Sequence, residues 1–187
     1  MRKLTVFNSV TLDGYFTGEN GDLSWAHRKD DDPEWGEFVA GNAQGGGALL
    51  MGRVTYEMMV SYWPTPQAKQ NDPKVAEGMN ALPKYVVSRS LDKADWNNTT
   101  VLKGDLLDEV RKLKGSGGPD ITILGSGSII SPLADAGLID DYQLVVVPVV
   151  IGKGRTMFEG VRGKPGLKLT ETRSFKNGNV VLSYDAG

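Results

Sequence analysis

The chain has 187 residues, no cysteine and a single histidine, His27, which excludes disulfides, thiolate metal sites, thiol nucleophiles and any multi-histidine metal centre. A net charge of −2, with 40% hydrophobic and 24% charged residues, is that of an ordinary globular protein and gives no reason to expect nucleic acid or a membrane surface as partner. This length predicts one domain over residues 1–187. The N-terminus Met1-Arg2-Lys3-Leu4-Thr5-Val6 enters a strand pattern directly, and no apolar run approaches a membrane span, so a cytoplasmic address is expected.

Leu4 to Val10 reads as a buried strand and Leu12-Asp13-Gly14 as the turn that leaves it. Residues 14–32 are rich in Gly and Asp and carry Trp25; a loop this long inside a domain is usually functional. Asp31-Asp32-Pro33-Glu34 predicts a helix start, with an Asp cap and Pro in the first turn. Trp35, Phe38, Val39 and Asn42 keep helical spacing until Gly45-Gly46-Gly47. Ala48 to Met51 is a second strand, and the helix after it carries Tyr56, Met59, Val60 and Trp63 as a core-facing stripe before Pro64 and Pro66. Residues 67–82 read as a polar loop with a short helix.

Lys84 to Ser88 is a third strand, Val101-Leu102 a short one, and Leu106 to Lys114 an amphipathic helix broken by Gly115-Ser116-Gly117-Gly118-Pro119. The strand Ile121 to Leu124 leads to a helix expected to start near Ser128 or Ser131, because Pro132 in mid-helix costs about 3 kcal/mol. Tyr142 to Ile151 is the longest apolar run and reads as a central strand. Leu167, Leu169, Val180, Leu182 and Tyr184 alternate with polar residues around Asn177-Gly178, a hairpin signal. Strands alternating with helices and closing on an antiparallel pair predict an α/β domain with a mixed, mostly parallel sheet flanked by helices.

Two of the strands end in glycine and run into a helix: Ala48-Leu49-Leu50-Met51-Gly52-Arg53 and Ile121-Thr122-Ile123-Leu124-Gly125-Ser126-Gly127-Ser128. Each junction aims backbone N–H groups and a helix dipole at a point beyond the strand, where a phosphate binds without a dedicated side chain. Gly125 and Gly127 are expected to admit the phosphate to the backbone. Two such junctions, one carrying an arginine, suggest a dinucleotide.

These segments resemble the dihydrofolate reductase superfamily, in particular its bacterial branch related to the reductase domain of riboflavin biosynthesis. Ser9-Val10-Thr11-Leu12-Asp13-Gly14 is similar to the family's first strand and turn, and Gly18-Glu19-Asn20 through Trp25 to the loop that closes over the nicotinamide. Met51-Gly52-Arg53-Val54-Thr55 resembles the family's Met-Gly-Arg-x-Thr segment. Val86-Val87-Ser88-Arg89-Ser90 resembles the strand and turn at the adenosine end, and Leu124-Gly125-Ser126-Gly127-Ser128 the turn under the pyrophosphate. Pro148-Val149-Val150-Ile151-Gly152-Lys153-Gly154 looks like the riboflavin branch.

The resemblance implies bound NADPH, held by Gly52, Arg53, Thr55, Ser88, Arg89, Gly125, Ser126, Gly127 and Ser128, and a small heterocyclic substrate near Asp13, Trp25 and Trp35. Two arginines suit a 2′-phosphate, which takes charge-assisted partners. The family's pterin-holding carboxylate aligns with Glu34 or, in another alignment, with Asp32; its threonine falls near apolar Val145. A carboxyl near Trp35 and shielded from water would have a raised pKa and suit proton delivery. Lys153 and Arg155 are candidates for a substrate phosphate clamp, and the Val-rich segment 144–151 resembles one by which riboflavin-branch proteins pair, so a homodimer is expected. The reading is an NADPH-dependent reductase acting on a C=N bond, with a non-catalytic nucleotide-binding or sensor protein as the alternative. A hydrolase fails for want of a Gly-x-Ser-x-Gly elbow and of a serine partner for His27.

Overall fold

Strands buried on both faces read as continuous apolar runs, and Ala48-Leu49-Leu50-Met51 lies at the middle of the sheet accordingly. The computed structural model describes residues 1–26 and 32–187; His27 and Asp31 lie outside the described residues. In chain order the elements are β1 (Leu4–Thr11), β2 (Tyr15–Thr17), α1 (Pro33–Gln44), β3 (Ala48–Gly52), α2 (Arg53–Val60), α3 (Pro66–Asn71), α4 (Pro73–Ala81), β4 (Lys84–Val87) and β5 (Thr99–Leu102). There follow α5 (Leu106–Gly115), β6 (Ile121–Leu124), α6 (Gly127–Asp135), β7 (Asp141–Val147), β8 (Arg155–Thr156), β9 (Lys168–Ser174) and β10 (Val180–Asp185). Eight strands form one sheet in the order β5-β4-β3-β6-β1-β7-β10-β9, parallel from β5 to β7 and antiparallel through β10 and β9.

Alternation along the strands sends side chains to two helical layers. Leu4, Val6, Leu50, Ile121 and Ile123 pack under α5 and α6 through Val110, Ile129, Ile130 and Leu133. On the other face, Leu49, Met51 and Val86 meet Ala40 and Ala43 of α1, Tyr56 of α2, and Val75 and Met79 of α4. A third cluster joins Val145, Val147 and Val181 to Trp25 and Phe175, with Trp35 and Phe38 against it. The expected α/β architecture is therefore present, and no helix among the described residues is long and apolar enough to cross a membrane.

Four details differ from the sequence reading. Residues 67–82 hold two helices, not one: Pro66 and Pro73 each open a first turn, where a missing N–H costs nothing. Helix α6 starts at Gly127, beside the expected Ser128, but runs far enough to keep Pro132 inside; the acceptor this leaves unbonded is the carbonyl of exposed Ser128, within reach of water. The two-stranded ribbon β2–β8 was not foreseen, being three and two residues long. Finally, β7 ends at Val147, short of the expected Ile151, and pairs with β1 on one side and β10 on the other; the free edges of the main sheet are β5 and β9.

Candidate cofactor and active site

Strand order makes β3 and β6 neighbours, so the two glycine junctions lie side by side at the carboxyl ends of the sheet. They are stitched together. The Gly52 N–H donates to Ser126 Oγ at 2.8 Å, and Thr55 Oγ1 and Ser126 Oγ share a hydrogen bond of 2.7 Å. Ser126 takes the left-handed conformation at φ 60°, as does Gly125 at φ 58°. A Cβ on Gly125 would lie 3.0 Å from Thr55 Oγ1, and one on Gly52 3.2 Å from Ser126 Oγ. No side chain caps α2 or α6, so the first N–H groups of both helices (Arg53 and Val54; Gly127 and Ser128) are without acceptors among the described residues. Two positive helix ends thus lie side by side, an arrangement that suits an anion with several phosphates.

Gly127 has a second reason beside the one expected. A Cβ there would sit 2.8 Å from Phe16 Cζ, so this glycine seats the Phe16 ring against the start of α6. Exposure of backbone to a phosphate is not its sole justification.

The two cations expected at an adenosine end are unequal. Arg53 is half-exposed and holds both Glu57 oxygens at 2.8 Å, one helical turn away. Arg89, beyond β4, is exposed and makes no ion pair among the described residues. Ser88 is buried and accepts from the N–H groups of Ser90 (3.2 Å) and Leu91 (3.0 Å), which closes the turn after β4 and leaves its hydroxyl hydrogen to donate.

In the third cluster, Trp35 stacks on Phe38 with centroids 5.5 Å apart and meets Phe175 edge-on at 5.1 Å. Trp25 is buried in the same cluster, and its Nε1–H finds no partner among the described residues. Asp32 caps α1: Oδ1 accepts from Glu34 and Trp35 N–H, and Oδ2 from Asn177 N–H. Burial pushes its pKa upward, but the backbone N–H groups of Asn177, Trp35, Glu34 and Lys176 outweigh this and hold it below the ordinary value.

Glu34 points to the sheet edge, where it pairs with Arg173 of β9 at 2.8 Å, with both side chains near half exposure. The expected raised pKa is reversed at Asp32, which is buried but surrounded by donors, and Glu34 is half-exposed where a water-shielded carboxyl was expected. Asp13 is likewise engaged. It accepts from Gly152 N–H at 2.7 Å and from Ile151 N–H, and its hydrogen bond with Thr11, then those N–H groups, hold its pKa low. It ties the turn after β1 to the segment after β7.

Two grooves flank β8. One, of about 630 Å³, is lined by Gly127, Ser128, Ser131, Arg155 and Thr156 among others. The second, of about 760 Å³, is lined by Tyr15, Thr17, Glu19, Lys153 and Arg155 among others. Arg155 borders both, and Lys153 approaches Glu19 at 4.0 Å. The sequence reading did not foresee Glu57 as partner of Arg53, although its i, i+4 spacing was a readable signal, nor Arg173 or Phe16, which meet the site only through the fold.

Comparison with known proteins agrees with this geometry. The family model of the RibD C-terminal domain matches residues 2–181. The Bacillus subtilis protein YyaP is 31% identical over 183 residues, covering 98% of this chain and 94% of its own. Among solved structures, a riboflavin biosynthesis protein assignment from Shewanella sp. PV-4 superposes with a TM-score of 0.74 at 20% identity, covering 98% of each chain. Dihydrofolate reductase from Enterococcus faecalis, solved with NADP(H), gives 0.66 at 16% identity, covering 98% of this chain and 95% of its own. The fold is that of dihydrofolate reductase.

Proposed function

This chain belongs to the RibD C-terminal domain family, and from that premise we propose that it is an NADPH-dependent reductase acting on a C=N bond of a small flat heterocycle, of pterin or riboflavin-precursor aminopyrimidine type. The observation that carries the reading is the pair of uncapped helix N-termini stitched together at Gly52 and Ser126. Bound there, NADPH supplies the hydride. The N–H groups at the starts of α2 and α6 hold the pyrophosphate, and Ser88 and Arg89 the 2′-phosphate. Arg53 joins them once it parts from Glu57. Trp35 and Trp25 flank the heterocycle. Since Asp32 is filled with backbone donors and Glu34 faces Arg173, the proton that follows the hydride comes from solvent.

Quenching of tryptophan fluorescence by NADPH and NADH, followed by loss of NADPH absorbance with pterins, pyrimidines and small quinones, tests this. NADPH should bind about tenfold or more tightly than NADH, roughly 1.4 kcal/mol. Equal affinities overturn the 2′-phosphate assignment, and no saturable binding of either overturns the cofactor. Tight binding with no turnover across the panel favours a non-catalytic nucleotide-binding or sensor protein on the same fold.

A further inference from the structure

Resting on the cofactor reading above, we infer that Arg155 is a ligand of the cofactor's pyrophosphate and not a clamp for an anionic substrate. Arg155 opens β8, which lies antiparallel to β2 with Thr17 opposite Arg155 and Tyr15 opposite Thr156. The approach is close because Gly154 precedes it. A Cβ on Gly154, at φ 151°, would fall 2.2 Å from the Thr17 carbonyl oxygen, so no other residue allows β8 this near β2. Between the two strands and α6 stands Phe16. The tip of its ring meets Gly127, and the Arg155 guanidinium carbon lies 5.9 Å from its centroid. Phe16 thus links Arg155 to the end of α6 whose N–H groups are free, and Arg155 and Gly127 both line the groove of about 630 Å³.

The neighbouring cations are committed elsewhere. Arg162 approaches Asp135 at 3.7 Å toward the C-terminal end of α6, where Asp135 also accepts from the N–H groups of Arg162 and Gly163. Lys153 faces Glu19, and Arg53 faces Glu57. Glu159, the groove's other carboxylate, makes no ion pair with Arg155. Arg155 is thus the cation at this end of α6 without an ion pair among the described residues. A guanidinium offers two parallel donors to phosphate oxygens, and the helix end supplies further N–H donors in the same groove.

The pyrophosphate is common to both nicotinamide nucleotides, and this separates Arg155 from the arginines at the adenosine end. Fluorescence titrations of wild type, Arg155→Gln, Arg155→Lys and Arg89→Gln with NADPH, NADH and adenosine 2′-monophosphate provide the test. Arg155→Gln should weaken NADPH and NADH alike by about tenfold, the scale of one charge-assisted contact, and leave adenosine 2′-monophosphate unchanged. Arg155→Lys should recover part of the loss. Arg89→Gln should weaken NADPH and adenosine 2′-monophosphate but not NADH.

The side chain is exposed, so the variant folds, and an unchanged circular dichroism melt checks it. Wild type that binds the nucleotides while Arg155→Gln stays within about twofold of it overturns the proposal alone. So does a variant with intact cofactor affinity and a raised KM for substrate, which returns Arg155 to the substrate. Wild type that binds neither nucleotide removes the cofactor reading and this proposal together.

Discussion

Asp32 and Glu34 are two residues apart on one helix start and have opposite surroundings. Asp32 gives both oxygens to backbone N–H groups, so its role is to hold α1 against the β9–β10 turn at Asn177. Its lowered pKa means that the stability it contributes is present above the unfolded value of 3.8 and is lost as pH falls through the folded value. Asp32→Ala should therefore lower the urea midpoint at neutral pH while NADPH affinity persists. Glu34→Gln should keep turnover within a few-fold of wild type, because the proton comes from solvent; a loss of about a hundredfold would restore Glu34 as the acid. Glu57 gives a second expectation. It occupies the arginine that a 2′-phosphate would use, and an exposed pair of this kind is worth on the order of 0.2–1 kcal/mol. Glu57→Gln should accordingly tighten NADPH by about two- to fivefold and leave NADH unchanged. Weaker NADPH binding in that variant would show instead that Glu57 holds Arg53 in its binding pose.

At the scale of elements, what was legible in the sequence was local. Asp32-Pro33 announced α1, the strand-to-glycine junctions announced β3–α2 and β6–α6, and Asn177-Gly178 announced the β9–β10 turn. Each is a signal written within a few residues. The helices α3 and α4 were missed as a pair because their exposed faces are polar and their buried faces mix small residues, Ala68, Ala76 and Gly78, with only Val75 and Met79 as larger apolar ones, which leaves little periodic contrast. Gly78 shows why. A Cβ there would come 2.3 Å from the Ala43 carbonyl oxygen, so α4 lies on α1 with backbone almost touching side-chain position. Gly78→Ala gains intrinsic helix propensity of about 1 kcal/mol. It must nonetheless separate the two helices, and overpacking of this kind costs about 1–3 kcal/mol. A lower urea midpoint at constant m is expected, and a stabilised Gly78→Ala would contradict the close packing.

At the scale of the whole molecule, the strand order decides function, and no local pattern contains it. Gly52 and Ser126 are 74 positions apart, and only the placement of β6 between β3 and β1 joins them. Phe16 and Arg155 come to the α6 start through the β2–β8 ribbon, five residues in all, too short for any periodicity. The opposite, amino-terminal end of the sheet carries a feature equally hidden in sequence. Lys84, the first residue of β4, is fully buried. Its Nζ donates to the carbonyls of Leu82 (2.6 Å), Asn97 (3.1 Å) and Asn80 (3.3 Å) and lies 4.5 Å from the Trp96 ring centroid. It fastens the end of α4 and the strand entry to β5 onto the sheet.

Burial pushes this ammonium down from 10.5 to about 8. The unfolded chain therefore binds more protons than the folded one between these values, and stability rises with pH across that window. The full difference is on the order of 3 kcal/mol. Tyr142, raised above 10.0 by its own burial, opposes the rise only at higher pH. Urea unfolding of wild type should show an increasing midpoint from pH 8 toward pH 10. Lys84→Met should be less stable throughout, because three carbonyls lose their donor, and its midpoint should be flat over the same range. An identical pH profile in the two proteins would mean that Lys84 keeps its proton when the chain folds.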